Sequence, residues 1–288
     1  MEGDLWKMVV AEVRKVKARR CGRWTFSVED VVLTCFWAVF QNQPVSWACD
    51  RRHWPVGAWR RRLPTPSTMS RRLRTAEVVE AIAYVERAVL RHPGPTWVYT
   101  IDGKPLPVSR HSGDRDARFG RGAGGVDNGY KLHVLYGKNG STAAYAVEPM
   151  NVDERVVARR LAQEARVNGY VIGDAAYDDN QLYECVRQHE GQLVAPRKRG
   201  RKRGLGHRRH SPARWRAIDM MEGPYPQWSE ALLAWRGGVE RAFGTMACSH
   251  YGLDRLPPWV RGLPRVRRWV QAKLIIDRLA AIRRRRAG

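Results

Sequence analysis

The chain has 288 residues, of which 43% are hydrophobic, and a formal net charge of +24 at pH 7. The hydrophobic content suffices for a buried core and argues against a wholly disordered chain. The positive excess favours a polyanionic partner, most commonly nucleic acid, over a merely solvated basic surface, because such charges repel one another without a counter-charge. The middle third is nearly neutral: residues 1–92 carry +8, residues 93–194 carry −1 and residues 195–288 carry +17.

Membrane insertion and disulfide bonding are both unexpected. The longest apolar run, Val31 to Phe40, is about half the length that spans a bilayer. The first residues lack the apolar core of a signal peptide. The five cysteines contain no CxxC pair and are interpreted as small core residues in a reducing compartment. A cytoplasmic protein is therefore expected.

Residues 1–92 are predicted to form a small all-α domain. Helical patterns cover 31–40, 68–74 and 77–91. The short segment 68–74 follows a proline-rich break, with Ser67 as its predicted cap. It is a candidate helix for the DNA major groove through Arg71, Arg72 and Arg74. A solvated helix that at most contacts phosphates is the alternative. Residues 92–95, His-Pro-Gly-Pro, are predicted to be the linker that ends this domain.

Residues 93–288 are predicted to form an α/β domain. Strand patterns cover 97–101, 130–136, 141–148, 170–173 and 192–195, and helical patterns cover 153–167 and 180–189. The glycine-rich stretch 110–129 is predicted to be a flexible loop. The predicted order is three strands, a helix, a strand, a helix, a strand and a further helix. This is the order of a ribonuclease-H-like fold. We therefore expect a mixed sheet flanked by helices, preceded by the all-α domain.

A very basic segment follows the last predicted strand. Residues 196–216 cannot pack in a core and are expected to bind phosphates or to stay disordered. The predicted DNA contacts in it are Arg197, Lys198, Arg199, Arg201, Lys202 and Arg203. Two helices, 229–246 and 264–286, are predicted to complete the chain. Gly237 and Gly238 lie inside the first and cost about 1 kcal/mol each relative to alanine, which suggests a close approach of the backbone to another group.

Three acids stand out by position. Asp102 is placed at the end of the first strand, Asp174 at the end of the fourth, and Glu240 on the helix that would pack across them. Phosphodiester chemistry uses such a cluster to hold two Mg²⁺ ions, which stabilise the attacking and the leaving oxygen. Taken singly, each acid has a structural alternative: a turn, a strand-end cap and a helix ion pair with a neighbouring arginine, respectively.

The sequence around these acids resembles the DDE transposases of bacterial insertion sequences, in the group named after insertion sequences four and five. The motifs are Ile101-Asp102-Gly103-Lys104, Gly173-Asp174-Ala175-Ala176-Tyr177-Asp178 and Arg236-Gly237-Gly238-Val239-Glu240-Arg241-Ala242-Phe243. The resemblance implies cleavage at the element ends and transfer of the freed 3′-hydroxyl into double-stranded target DNA. It also implies two Mg²⁺ ions, replaceable by Mn²⁺, on Asp102, Asp174 and Glu240.

Two positions depart from the family pattern, and several alternatives stay open. Leu233 stands where the family has tyrosine, and Ala247 where it has a lysine that grips DNA. Arg236 matches the family arginine and is predicted to contact a DNA phosphate. The alternatives are a nuclease that cuts without joining, a catalytically inactive or domesticated transposase that only binds DNA, and, ranked last, an RNA-binding protein. A homodimer in the DNA complex and association with the bacterial nucleoid are further expectations.

Overall fold

The computed structural model describes residues 2–16, 25–55, 62–90, 96–122, 124–198, 210–248 and 251–287. In these ranges the helices are α1 Glu2–Arg14, α2 Val28–Phe40, α3 Val45–Ala48, α4 Pro66–Arg72, α5 Ala76–Leu90, α6 Glu154–Ala165, α7 Asn180–Arg187, α8 Pro212–Glu222, α9 Gln227–Ala234, α10 Gly237–Cys248 and α11 Leu263–Ala287. The strands are β1 Val98–Pro107, β2 Arg118–Gly122, β3 Gly125–Gly137, β4 Thr142–Pro149, β5 Gly169–Ile172 and β6 Gly191–Val194. Among these residues no helix combines the length and the apolar character that crossing a bilayer requires.

The chain divides into two compact units. One comprises Met1–Arg91 with Met246–Gly288, and the other comprises His92–Thr245. The first boundary lies close to the predicted linker. The prediction placed the C-terminal helix in the α/β domain. In the structure, α11 belongs to the same unit as the N-terminal helices. The physical reason is its apolar stripe, which is buried in that unit through residues such as Val266, Val270, Ile275 and Leu279.

The helical unit has α2 in its interior. Ser27 caps this helix, and a reciprocal hydrogen bond joins Asp30 to the cap backbone. The rest of α2 is buried nearly all round. Lys273 of α11 is also buried in this unit, where its ammonium donates to Asn42 Oδ1 and, over 2.9 Å, to the Tyr251 carbonyl. Burial lowers the pKa of Lys273 to about 7.

The α/β unit contains one six-stranded sheet. The order is β2-β3-β1-β5-β6, and β4 also pairs with β3. Strands β4, β3 and β1 pair antiparallel, and β1, β5 and β6 pair parallel. Three antiparallel strands continued by two parallel ones form the ribonuclease-H-like arrangement, so the predicted fold class is confirmed. The fourth and fifth predicted strands match β5 and β6 to within a residue at each end.

One strand arises where the sequence predicted a flexible loop. Strand β2 pairs antiparallel with the first residues of β3, from Arg118↔Gly129 to Gly122↔Gly125. The glycines that suggested flexibility make this pairing possible. A Cβ on Gly120 would lie 2.2 Å from the Met150 carbonyl oxygen, so only glycine fits there.

The C-terminal part of the α/β unit is more broken into helices than predicted. The single helix expected over 229–246 is two helices, α9 and α10, separated by a turn at Trp235 and Arg236. The turn immediately precedes the helix-breaking Gly237-Gly238 pair. The predicted basic loop 196–216 also ends early, because Ser211 caps α8 and Pro212 occupies its first turn.

Helices cover both faces of the parallel part of the sheet. Residues adjacent along a strand face opposite sides: Val171 and Leu193 pack in the core with α6, α7 and α8, while Ile172 and Val194 pack against Leu232 of α9. The sheet is therefore the middle layer of three. Its second face, covered by α9, is the one on which the predicted acids are found.

Gly169 fixes the start of β5 against β1. Its φ is +111°, and a Cβ there would lie 2.5 Å from the Trp97 carbonyl oxygen, which already accepts the Tyr170 N–H over 2.7 Å. We expect Gly169→Ala to lower the free energy of unfolding by about 1–3 kcal/mol, because alanine is strained at this φ and collides with the backbone. Urea denaturation measures the change. Gly244→Ala is the control, since no atom lies within 4 Å of its Cβ position, and it should stabilise α10 by up to about 1 kcal/mol. Equal effects of the two substitutions would contradict the assignment of strain to Gly169.

Candidate active site

Asp102 lies inside β1, and its prediction at the strand end is wrong. The strand continues to Pro107 because its antiparallel pairing with β3 extends as far as Pro107↔Gly129. Side chains alternate along β1: Ile101 is buried in the core under α6 and α7, and Val98 packs on the opposite face with Leu232 of α9. By this alternation Asp102 lies on the α9 face. It is half-buried, and its Oδ1 accepts the Gly103 N–H over 2.7 Å.

Asp174 lies beside Asp102 at the end of the adjacent strand. Strands β1 and β5 are parallel with the register Thr100↔Ile172. Asp102 and Asp174 each follow by two residues, so they occupy the same level. Asp174 then begins a 3₁₀ helix, Ala175–Tyr177, and its Oδ1 accepts the Ala176 N–H over 2.8 Å. The strand-end cap considered for Asp174 is therefore present, and it engages one carboxylate oxygen.

Glu240 lies in the first turn of α10 and pairs with Arg236. The Arg236 Nη2 is 3.3 Å from the Glu240 Oε1, and the side chains are 41% and 59% exposed, respectively. At this exposure the pair is worth little in water. It does not commit either side chain to a fixed position, so Glu240 can exchange this partner for another at small cost.

Asp174, Arg236 and Glu240 are the charged residues that act on the Asp102 carboxylate. Burial raises the pKa of Asp102 above its ordinary value. The Gly103 N–H lowers it, the charges of Asp174 and Glu240 raise it, and the Arg236 cation lowers it. Across the described ranges, however, no three His, Cys, Asp or Glu side chains are close enough together to hold a metal ion. The charges of the other two acids thus act on Asp102, while each of the three carboxylates keeps its own local hydrogen bond or ion pair.

Sequence reasoning did not single out Tyr177. This side chain is 1% exposed, and its hydroxyl has no hydrogen-bond partner among the described residues. Burial raises the pKa of Tyr177 well above its ordinary value, and the charges of Glu154, Asp102 and Asp174 raise it further. The ring packs against Gly173, where a Cβ would lie 2.9 Å from it. The only available signal was a tyrosine three residues after Asp174 in the motif.

The residues predicted to contact DNA differ in their exposure. Arg71 and Arg74 are exposed at the end of α4. Arg72 is 2% exposed, with its Nη2 3.8 Å from Glu77 Oε2, so its predicted role in contacting DNA is wrong for this structure. Helix α4 is capped by Thr65 rather than Ser67, and Arg72 lies with Met69 among its buried residues. Arg199, Arg201, Lys202 and Arg203 lie outside the described residues.

Arg197 and Lys198, which begin the basic segment, are already engaged. The Arg197 guanidinium donates to both carboxylate oxygens of Glu222, over 3.0 and 2.9 Å. The Lys198 N–H donates to Asp178 Oδ2 over 2.9 Å. The backbone at the start of the basic segment is therefore anchored, while the Lys198 side chain is exposed.

The sequence pattern of the transposase DDE domain family matches residues 93–276. The chain belongs to this family of DDE transposases. The matched region contains Asp102, Asp174, Arg236 and Glu240, so the predicted resemblance is confirmed. No curated protein sequence matches the chain. The piggyBac transposase, in a cryo-EM structure of its synaptic complex with hairpin DNA, is similar with a TM-score of 0.44 and 9% identity, over 96% of this chain and 71% of that one.

Substitutions around Asp102 should change its pKa in opposite directions. Asp174→Asn and Glu240→Gln each remove a negative charge that raises the pKa of Asp102, so we expect that pKa to fall. Arg236→Ala removes a cation and should raise it. Carboxyl-carbon NMR titration of the transposase in metal-free buffer measures these changes. Asp116→Asn, which removes an exposed acid that does not act on Asp102, is the control. If the pKa of Asp102 were unchanged in both acid variants, the three carboxylates would not share one site.

Proposed function

We propose that this transposase cuts DNA at the ends of an insertion sequence and joins the freed 3′-hydroxyl to target DNA, with Asp102, Asp174 and Glu240 as the catalytic, metal-binding residues. The observation that carries the proposal is the parallel register of β1 and β5, which puts two carboxylates at one level of the sheet. Glu240 adds a third charge, which acts on Asp102 from α10.

The residues present suit a divalent cation. Carboxylate oxygens are the donors that Mg²⁺ prefers, and Mn²⁺ accepts the same set. Asp102 is half-buried beside two like charges that raise its pKa, and a bound cation would relieve that repulsion. Two such ions, when bound, supply charge stabilisation for the attacking and the leaving oxygen of a phosphodiester. Glu240 would join them by giving up its exposed pair with Arg236.

Backbone N–H groups hold two of the three carboxylates in place, whereas the third is held only by an exposed ion pair. Asp102 is held on a central strand by the Gly103 N–H, and Asp174 is held by the Ala176 N–H. Glu240 is largely exposed and held only by Arg236. Once Glu240 is committed to the metal, the Arg236 guanidinium can donate two parallel hydrogen bonds to a DNA phosphate.

Double-stranded DNA is the proposed partner, and phosphate contacts supply most of the affinity. The net charge of +24 and the basic segment after β6 support this, because each cation that replaces a condensed counterion strengthens binding. The exposed Arg71 and Arg74 are proposed to contribute from the N-terminal helices, as a DNA-binding domain. A homodimer in the complex with DNA and a cytoplasmic, nucleoid-associated location belong to the same proposal.

The cleavage reaction tests the three carboxylates. We expect Asp102→Asn, Asp174→Asn and Glu240→Gln each to lower Mg²⁺- or Mn²⁺-dependent cleavage of an element-end oligonucleotide by at least about a hundredfold. Binding of the same DNA should persist, because each substitution removes a negative charge. Asp116→Asn serves as the control. Undiminished cleavage by any one variant removes that residue from the site. Wild-type protein that binds DNA but never cuts would favour an inactive transposase, and cutting without joining of a precut end would favour a nuclease.

Substitution of Arg236 tests whether this arginine stabilises the fold or contacts a DNA phosphate in the reaction. Its exposed pair with Glu240 contributes at most a few tenths of a kcal/mol, so we expect Arg236→Ala to keep the wild-type melting temperature. Cleavage and joining should fall by at least about tenfold, because a phosphate loses its bidentate donor. Arg236→Lys should restore only part of the rate. A lowered melting temperature with wild-type rates would show that Arg236 is structural.

A further inference from the structure

One arginine of α11 is partly buried among other positive charges. Arg268 is half-buried, and burial lowers the pKa of its guanidinium. The charges of Arg74 and Arg265 lower that pKa further, while the Cys35 thiol raises it. No carboxylate of the described residues is among the groups that act on Arg268. Because a guanidinium stays protonated in proteins, Arg268 is a cation that none of those residues compensates.

The two cations that act on Arg268 come from different elements. Arg265 precedes it by three residues on α11, so the two side chains lie on the same face of that helix. Arg74 follows the C-terminal end of α4, and both α4 and α11 pack on α2. All of these residues belong to the helical unit. Three guanidinium groups, two of them exposed, therefore come together at one place on its surface.

Acids close in sequence do not offset these charges. Glu77, three residues after Arg74, pairs instead with Arg72 over 3.8 Å. The first turn of α11 contains no acid, although the helix dipole makes cations unfavourable there. Without a bound anion the three guanidinium groups repel one another, and the partial burial of Arg268 strengthens that repulsion. An anion held among the three side chains would remove it.

We propose that Arg74, Arg265 and Arg268, together called the arginine cluster, bind a phosphodiester of the DNA backbone. This inference deepens the proposed function and rests on it for the identity of the ligand. A guanidinium presents paired N–H donors that match the oxygens of a phosphate. The two exposed members reach the phosphate from solvent, and the half-buried Arg268 lies where salt screens its charge less. Helix α11 thereby adds a phosphate contact to the DNA-binding surface proposed for the N-terminal helices.

A loss of net charge has to be separated from the loss of a phosphate site. Any substitution of arginine by glutamine removes one positive charge and weakens DNA binding to some extent. Arg87→Gln is the matched control, because Arg87 is an exposed arginine of α5 in the same unit. Arg268→Lys keeps the charge and removes the planar pair of donors, so its effect on affinity does not arise from net charge.

The first experiment measures binding of an element-end DNA duplex by fluorescence anisotropy at several salt concentrations, in full-length protein with EDTA present. We expect Arg265→Gln and Arg268→Gln each to weaken binding about tenfold and to lower the slope of log affinity against log salt by about one. Arg268→Lys should weaken binding about threefold, and Arg87→Gln less than about twofold. In an Arg74→Gln background, Arg268→Gln should weaken binding by less than about threefold, because the two residues share one phosphate.

The second experiment uses inorganic phosphate as the probe and needs no DNA. An anion that binds only the folded protein raises the melting temperature. At matched ionic strength, we expect phosphate in place of chloride to raise the melting temperature of the wild type by about 2–4 °C more than that of Arg265→Gln or Arg268→Gln. Arg87→Gln should respond as the wild type does. Should Arg268→Gln fail to fold, the substitution of the exposed Arg265 decides the outcome.

The other outcomes contradict one proposal or the other. Losses of affinity no larger than that of Arg87→Gln, or losses that are the same with and without Arg74→Gln, would overturn the shared site. A phosphate-dependent rise in melting temperature that the cluster variants lose without any change in DNA binding would show an anion site that does not serve DNA, and would overturn the inference as well. Wild-type protein that needs the cluster to bind DNA but never cleaves it with metal would overturn the proposed function and leave the phosphate site in place.

Discussion

The parallel pairing of β1 with β5 is the constraint on which the site depends. It fixes Thr100 opposite Ile172, and from there two residues on each strand lead to Asp102 and Asp174. A shift of one residue would turn one of the two acids into the apolar core, because neighbouring side chains on a strand face opposite sides. Gly169, which only glycine can occupy without strain, fixes the start of β5 against β1, and Leu232 of α9 packs on Ile172 and Val194.

The register places two carboxylates side by side, and neighbouring groups offset part of their repulsion. Two carboxylates at one level repel each other, and burial adds to the rise in the pKa of Asp102. Local N–H donors at Gly103 and Ala176 compensate in part, and the Arg236 cation compensates further. The third acid, Glu240, lies on an exposed helical turn, where its charge costs little. Asp102 and Asp174 are thus held by backbone hydrogen bonds, whereas the exposed Glu240 can change its partner.

Local patterns were enough to predict the five strands other than β2, the helices α6 and α7 between them, the family and the approximate place of each acid. What they missed depends on partners distant in sequence. Asp102 lies within β1 because β3 continues to pair past it, although the sequence Gly103-Lys104-Pro105 suggests a strand end. Arg72 is buried by tertiary packing that no local pattern of polar residues reveals. The assignment of α11 to the helical unit likewise depends on which apolar surface accepts it.

The close packing of Gly173 against Tyr177 bears on how this motif can evolve. A side chain at position 173 would meet the Tyr177 ring at 2.9 Å, and a smaller residue at position 177 would leave a cavity next to Gly173. Neither position can therefore change alone without loosening the turn that carries the carboxylate. Selection acts on the two as one unit, and lineages that enlarge residue 173 are expected to have reduced residue 177 in the same step or an adjacent one.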